Sequence, residues 1–105
     1  MKAWEVWTWD GHPCLLISNQ ARIDRKTRVV VLKGQTIDSG DPGPNPLEAV
    51  LDVADGMDRR TVFACDLAYT APRSAISQKR GEVRSYERRA DISRKIIQGL
   101  AFAGL

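Results

Sequence analysis

The stretch "ACDLAYTAPRS", residues 64–74, gathers side chains that could act on a phosphate group. Asp66 could accept a proton, Tyr69 and Thr70 could donate one, and Arg73 could hold a phosphate beside the hydroxyl of Ser74. A purely structural role for Asp66 and Arg73 explains them equally well. An Asp after a strand often accepts hydrogen bonds from the N–H groups of the next turn, and Arg73 could neutralise its charge. The stretch therefore indicates a site without defining its chemistry.

Four apolar segments around this stretch predict a sheet. Asp10-Gly11 is a dipeptide that tolerates the positive φ angles of a tight hairpin, so it should join the first two strands. Uninterrupted apolar runs indicate that the later strands are buried. The predicted strands are residues 2–9, 14–18, 27–34 and 59–67.

Two helices are predicted outside the strands. Asn45 can cap the first, Pro46 suits its first position, and Gly56 can end it; residues 36–46 before it read as a loop. After a turn around Gly81, Ser85 can cap a terminal helix over residues 86–102. The spacing of its apolar residues predicts a buried face formed by Ile92, Ile96, Leu100 and Ala103.

These elements predict a single domain over residues 1–105, mainly β with helices, built on a small, strongly bent antiparallel sheet. Trp4 and Trp7 differ by an odd step and should point to opposite faces of the first strand. Gly99 inside the terminal helix costs about 1 kcal/mol relative to Ala, so it either permits close packing or marks fraying.

Composition narrows the class of protein. No apolar segment approaches the roughly 20 residues of a membrane span, so we expect a cytoplasmic protein without a membrane partner. Cys14 and Cys65 lie in separate apolar runs with no further ligand nearby, which predicts buried thiols and no metal or other cofactor. Residues 59–105 carry ten bases and four acids, a balance that favours phosphate-bearing partners but also fits a solvated basic face.

Three segments together resemble the MazF/PemK family of toxin endoribonucleases from bacterial toxin-antitoxin systems. The segments are "GHPCLLISNQAR", "VVVLKGQT", and "CDLAYTAPRSAI" with "RGEV" beyond it. The combination of "CDxxYTxxRS" with "HPxxxISN" is more specific for the family than either motif alone. The likeness spans nearly the whole chain and is to members with a short first hairpin loop.

This resemblance implies an SH3-like barrel of the MazF/PemK/CcdB type with one inserted helix and a C-terminal helix, usually a homodimer. It also implies cleavage of single-stranded RNA without a metal, through attack of the ribose 2′-OH on the adjacent phosphate, and a cognate antitoxin protein as partner. The reaction needs a base, an acid, and a cation or N–H donors for the phosphorane.

The resemblance also implies roles for individual residues. Asp66 matches the family's Asp, and His12 takes the place of its phosphate-contacting or catalytic hairpin residue. The cation would come from Lys33, Arg73 or a base in "QKRG". The implied RNA-binding residues are Lys33, Gln35, Tyr69, Thr70, Ser74, Lys79 and Arg80. The chain departs from the family pattern at Lys33, Gly34, Ala64 and Tyr69, where hydroxyl residues or arginines are usual.

Two function classes remain open on these residues. One is an RNA-cleaving toxin held silent by its antitoxin. The other is a catalytically weak binding module of the same fold that engages an antitoxin, another protein such as a topoisomerase, or RNA without cutting it. Convergence of Lys33 or Arg73 with His12 and Asp66 on one pocket would favour the enzyme.

Overall fold

The computed structural model describes residues 1–37 and 45–100, and these contain six strands and two α-helices. The elements are β1 (Glu5–Trp9), β2 (His12–Leu16), α1 (Gln20–Arg25), β3 (Arg28–Thr36), β4 (Glu48–Leu51), β5 (Thr61–Pro72), β6 (Ile76–Glu82) and α2 (Tyr86–Leu100). Short 3₁₀ turns follow β4 at Val53–Asp55 and β5 at Arg73–Ala75. The α-helices that the structure describes are too short or too polar to cross a membrane.

The strands form one antiparallel sheet in the order β4-β5-β3-β2-β1-β6. This architecture confirms the mainly β prediction with a C-terminal helix. Within the described residues β4 and β6 remain separate edges, so the sheet is not closed into a complete barrel.

The β1–β2 hairpin follows from its turn residues. Asp10 and Gly11 have φ angles of 54° and 73°, and Trp9 pairs directly with His12 across the turn. Both central residues therefore lie in the left-handed region that a two-residue hairpin requires. The predicted turn is confirmed, and it sets His12 at the first position of β2.

The predicted inserted helix over residues 45–56 is wrong. Glu48–Leu51 is strand β4, which pairs with β5 and buries Ala49 and Leu51 in alternation. The side chain of Asn45 accepts the N–H of Leu47 at 2.9 Å and so caps a turn rather than a helix. Spacings that fit a helix also fit a short strand, and pairing with the free edge of β5 decides between them.

Three further boundaries differ from the predictions. Strand β5 continues to Pro72, so Tyr69 and Thr70 lie within it and not beyond it. Strand β6 runs through Gly81, where a turn was predicted. Helix α1 was not predicted; its N-cap Asn19 accepts the N–H of Arg22 at 2.9 Å. The described residues do not include most of the predicted loop over residues 36–46. They also do not include the end of the predicted terminal helix or Ala103.

The sheet has two buried faces. On the first face, α2 contributes Ile92 and Ile96 to a cluster that contains Leu32, Phe63 and Cys65 among others. On the second face, the buried residues are Cys14, Leu16, Ile23, Val29, Val31, Ala71 and Ile76. Trp4 packs with the first cluster and Trp7 with the second, as the odd spacing predicts.

Helix α2 lies directly on β5. A Cβ placed on Gly99 would lie 2.7 Å from the Cβ of Asp66, so only glycine permits this approach. Gly99 therefore serves close packing rather than fraying. The Oγ of Ser85 accepts the N–H of Arg88 at 3.3 Å and caps the helix as predicted, whereas Leu100 is half exposed and not part of a buried face.

Candidate functional site

A cleft of about 350 Å³ opens on the sheet between the end of β3, the middle of β5 and the start of β2. The residues that line it are His12, Lys33, Gly34, Gln35, Glu48, Val62, Ala64, Leu67 and Tyr69. Because side chains alternate along a strand, Lys33 shares the face of Val31, which belongs to the second cluster. The cleft therefore lies on the face opposite α2.

A break in strand pairing shapes the cleft. Leu32 pairs with Ala68 and Gly34 pairs with Phe63, so Lys33 alone lies opposite the β5 segment 64–67. A Cβ on Gly34 would lie 2.6 Å from the ring of Phe63, which explains why no larger residue occupies this position. Ala64 and Leu67, at the two ends of this segment, both line the cleft.

Lys33 supplies the positive charge of the cleft. Its ammonium group lies 5.1 Å from the ring centroid of Trp9 and 5.6 Å from that of Tyr69, within the range of cation–π attraction. The two rings meet edge to face at 5.9 Å. The carboxylate of Asp10 lies 3.7 Å from the same ammonium group, and the Lys33 side chain keeps 28% of its surface exposed. The charge is thus held in place yet remains accessible to an anion.

His12 is exposed at the rim of the cleft. It is the only histidine of the chain, and its imidazole has one nitrogen that can donate a proton and one that can accept a proton. The structure brings this predicted residue together with the predicted Lys33, Gln35 and Tyr69.

Glu48 is a cleft residue that the sequence reasoning missed. Its side chain accepts the N–H of Asn45 at 3.0 Å, and its backbone carbonyl accepts a hydrogen bond from Lys95 at 3.1 Å. The missed signal is the alternation of "EAVL", in which Ala49 and Leu51 are buried and Glu48 is partly exposed. With Glu48 the cleft contains a carboxylate, an imidazole and an ammonium group.

Asp66 does not line this cleft. Its Cβ packs against Gly99 of α2, on the first face of the sheet, because the bulge in β5 changes the direction of the side chains after Cys65. The predicted convergence of Asp66 with His12 is therefore not what the geometry shows. A carboxylate is present in the cleft, but Glu48 provides it.

Arg73, Thr70 and Ser74 also lie outside the cleft. Thr70 pairs with Val30, and Arg73 and Ser74 lie in the 3₁₀ turn that follows β5, beyond Tyr69. The N–H of Arg73 donates to the carbonyl of Thr27 at 2.8 Å, which places this arginine beside the start of β3. Lys33, and not Arg73, is therefore the predicted cation that lines the cleft with His12.

Lys79 and Arg80 line a separate cleft with Thr8, Gly11, Gly56, Asp58 and Gln78. The ammonium group of Lys79 lies 2.7 Å from the carboxylate of Glu5 and 3.2 Å from that of Glu82. The hydrogen bond to Glu5, followed by that to Glu82, raises the pKa of Lys79. This lysine is already neutralised by two carboxylates, and the geometry does not favour it as an RNA ligand.

Both cysteines are free and buried, as predicted. Burial raises the pKa of each thiol to about 11, so neither is a nucleophile at neutral pH. Across residues 1–37 and 45–100, no three His, Cys, Asp or Glu side chains are grouped so that they could hold a metal ion.

Comparison with solved structures gives consistent likenesses, whereas no family model and no curated protein matches the sequence. An endoribonuclease from a mycobacterial species superposes with a TM-score of 0.80 at 20% identity, over 95% of this chain and 90% of that chain. The Mycobacterium tuberculosis toxin MazF-mt6 gives a TM-score of 0.73 at 19% identity, over 90% and 92%.

Complexes with antitoxins give similar values. A mycobacterial endoribonuclease bound to its cognate antitoxin has a TM-score of 0.78 at 19% identity, over 97% of this chain and 98% of that chain. A MazE-MazF structure from Deinococcus radiodurans has a TM-score of 0.73 at 17% identity, over 97% of each chain. Likeness over nine-tenths or more of both chains shows that this protein has the fold of the MazF-type toxins.

Proposed function

We propose that this protein is the toxin of a toxin-antitoxin pair and cleaves single-stranded RNA through attack of a ribose 2′-OH, without a metal ion. The observation that carries the proposal is the cleft on the face opposite α2, which is lined by His12, Lys33 and Glu48. The MazF-type fold supports the choice of RNA as substrate, because several proteins with this fold are endoribonucleases.

The reaction places three demands on the cleft. The 2′-oxygen loses its proton and forms a bond to phosphorus, the bond from phosphorus to the 5′-oxygen breaks, and that oxygen takes up a proton. The products are a 2′,3′-cyclic phosphate and a 5′-hydroxyl. A base, an acid, and a positive charge beside the phosphorane are therefore needed, and the nucleophile comes from the substrate itself.

His12 and Glu48 meet the two proton demands in this proposal. Glu48 is fixed by the N–H of Asn45 and carries the carboxylate suited to accept the 2′-OH proton. His12 then protonates the leaving 5′-oxygen. Lys33 stabilises the extra negative charge of the phosphorane, since its ammonium group is oriented by Trp9 and Tyr69.

The remaining cleft residues suit the recognition of a nucleobase. Val62, Ala64 and Leu67 form an apolar wall, and Leu67 is 50% exposed. Tyr69 offers an aromatic ring, and the amide of Gln35 can donate to and accept from a base edge. Single-stranded RNA can present its bases in this way because they are not held in a duplex.

The departures from the family pattern support the same location. Lys33, Gly34, Ala64 and Tyr69 are the four positions where hydroxyl residues or arginines are usual, and all four line this one cleft. A cation lost at positions 64 and 69 is replaced by Lys33 between them. We infer a rearranged site in which Lys33 supplies the positive charge that an arginine supplies in the family pattern.

A catalytically weak binding module is the second candidate, and one observation favours it. The ammonium group of Lys33 is already attracted by Asp10 and by two aromatic rings, which compete with a phosphate for its charge. Such a module would still bind RNA or an antitoxin. Cleavage separates the two candidates.

We also propose a cytoplasmic homodimer that binds a cognate antitoxin. Ile97 and Leu100 of α2 are 71% and 49% exposed, which leaves apolar surface for a second copy or a partner chain. Sedimentation at micromolar concentration tests the dimer, and a monomer there would contradict it. Co-expression with the neighbouring open reading frame tests the antitoxin.

Cleavage assays on purified protein test the function itself. A mixed RNA is incubated in EDTA, and the new ends are characterised. We expect 5′-hydroxyl ends, no cutting of DNA, and no cutting of 2′-O-methyl RNA. Tight binding of RNA without cleavage would favour the binding module instead.

A further inference from the structure

Strand β4, which carries Glu48, is an edge of the sheet, and among the described residues its outer side has no partner strand. The N–H of Cys65 donates to the carbonyl of Leu47 at 2.9 Å, so the backbone of Leu47 faces β5. Because the backbone groups of successive strand residues point to opposite sides, the carbonyl of Glu48 points away from β5. This carbonyl can therefore accept a hydrogen bond from another element.

Helix α2 supplies that donor through Lys95. Its ammonium group donates to the carbonyl of Glu48 at 3.1 Å and lies 3.1 Å from one carboxylate oxygen of Asp91, one turn earlier in the helix. The Lys95 side chain keeps 23% of its surface exposed. The hydrogen bond from Lys95 lowers the pKa of Asp91, so the carboxylate is charged at neutral pH and orients the ammonium group. Lys95 therefore links α2 to the backbone of Glu48.

A second contact of the same kind lies two residues further along the strand. The guanidinium group of Arg88 donates to the carbonyl of Val50 at 2.5 Å and to the carboxylate of Asp55 at 2.7 Å. Arg88 and Lys95 are two helical turns apart and so lie on the same side of α2. The helix therefore binds the outer edge of β4 at Glu48 and at Val50, while β5 binds its inner edge.

Glu48 is the residue of this strand whose side chain lines the cleft. Ala49 and Leu51 are buried in the first cluster, so Glu48 points to the opposite face. The N–H of Asn45 orients the carboxylate within its own turn, whereas Lys95 fixes the backbone of that turn against α2. The difference matters for catalysis, because a displacement of about 1 Å can lower a rate by about 10²-fold.

We propose that Lys95 is a positioning residue for the cleft: from helix α2 it holds the backbone of Glu48, so that the carboxylate stays in the geometry that proton transfer from the 2′-OH requires. The inference rests on the proposed function for the role of Glu48. Lys95 is not among the residues that line the cleft, so it contacts neither the RNA nor the reacting atoms. Loss of its amino group should slow the chemical step and leave the affinity for RNA unchanged.

The test compares three variants of α2. Lys95→Met removes the donor and keeps an extended side chain, Lys95→Arg keeps a donor, and Arg94→Met is the matched control, because Arg94 is exposed and pairs with the other carboxylate oxygen of Asp91. Urea unfolding establishes that each variant is folded in the assay. We expect kcat on RNA to fall by about tenfold in Lys95→Met while KM stays within about twofold of wild type. In Lys95→Arg and Arg94→Met, kcat should stay within about twofold of wild type.

Amide hydrogen exchange tests the same contact without any reaction. The amides of residues 48–51 should exchange about tenfold faster in Lys95→Met than in wild type, and Arg94→Met should leave them unchanged. An unchanged kcat or an unchanged exchange rate in Lys95→Met would overturn the inference, and so would a loss of kcat in Lys95→Arg as large as that in Lys95→Met. Wild type that never cuts RNA would contradict the proposed function alone, and the exchange rates then decide by themselves whether Lys95 holds Glu48 in place.

Discussion

The Cα of Gly99 in α2 approaches β5 so closely that a Cβ there would lie 2.8 Å from the Cα of Asp66. This contact fixes the helix on one face of the sheet and leaves the other face for the cleft. Asp66 lies at this contact and does not line the cleft that contains His12.

Gly99→Ala should destabilise the protein by about 1–3 kcal/mol. The new methyl group meets backbone atoms that cannot move aside, and this overpacking exceeds the gain of about 1 kcal/mol from better helix propensity. Urea unfolding measures the difference. Gln98→Ala, at an exposed neighbouring position, is the control and should be nearly neutral. A stabilised Gly99→Ala protein would show that α2 does not pack as described.

Arg88 and Asp55 should be strongly coupled in stability. The guanidinium group donates to the carboxylate of Asp55 at 2.7 Å, and that carboxylate is buried and also accepts the N–H of Asp52. Arg88→Met should cost about 3–5 kcal/mol, because it leaves the buried carboxylate of Asp55 without its cation. A double-mutant cycle with Asp55→Ala measures the coupling, and additive effects would exclude it.

Glu5 should make stability depend on pH in the acid range. Burial alone would raise the pKa of this carboxyl, but hydrogen bonds from Lys79, Trp7 and the N–H of Lys2 outweigh burial and hold its pKa below the ordinary value. A carboxyl group whose pKa is lower in the folded state than in the unfolded state stabilises the fold. For Glu5 this contribution is complete above the ordinary glutamate pKa of about 4.3, and it is lost as the pH falls through the folded-state pKa.

The test of this pH dependence is the variant Glu5→Gln. Its free energy of unfolding should be lower than that of wild type at neutral pH, and the difference should shrink as the solution is acidified below about pH 4. Glu87→Gln, exposed on α2, serves as the matched control. A difference that stays constant down to acid pH would show that the buried carboxylate of Glu5 is not the cause.

Lys33→Met should lower the rate of RNA cleavage by about 10²-fold or more, the usual effect of removing one group that stabilises charge in the transition state. Methionine keeps most of the packing against Trp9 and Tyr69 while it removes the ammonium group. Lys2→Met is the control for loss of one exposed charge. Equal rates in the two variants would exclude Lys33 as the cation of the reaction.

Turn and cap residues allowed part of this fold to be predicted from the sequence. Asp10-Gly11 predicts its hairpin because few other dipeptides adopt two positive φ angles, and the cap at Ser85 marks the start of α2 correctly. The segment Glu48–Leu51 was misassigned because its apolar spacing fits both a helix and an edge strand. Pairing with the free edge of β5 makes this segment a strand, and β5 lies outside the segment in sequence.

The candidate site was predictable only in part. His12, Lys33, Gln35 and Tyr69 meet in one cleft, but Asp66 does not join them. The reason is the pairing shift between Leu32 and Gly34, which changes the face on which β5 side chains emerge. Two positions on β3 span five on β5, a shift of three residues. A shift by an odd number of residues exchanges the two faces of a strand, and no local pattern in residues 61–72 marks it.

Cleavage of a defined RNA in EDTA by wild type, His12→Ala and Glu48→Gln tests the central claim most directly. We predict that wild type leaves a 2′,3′-cyclic phosphate and a 5′-hydroxyl, that each variant is slower by about 10²-fold or more, and that both still bind 2′-O-methyl RNA. The variant Asp66→Asn, which changes a carboxylate outside the cleft, should retain most activity. Cleavage that requires a metal, or full activity in both His12→Ala and Glu48→Gln, would contradict the account.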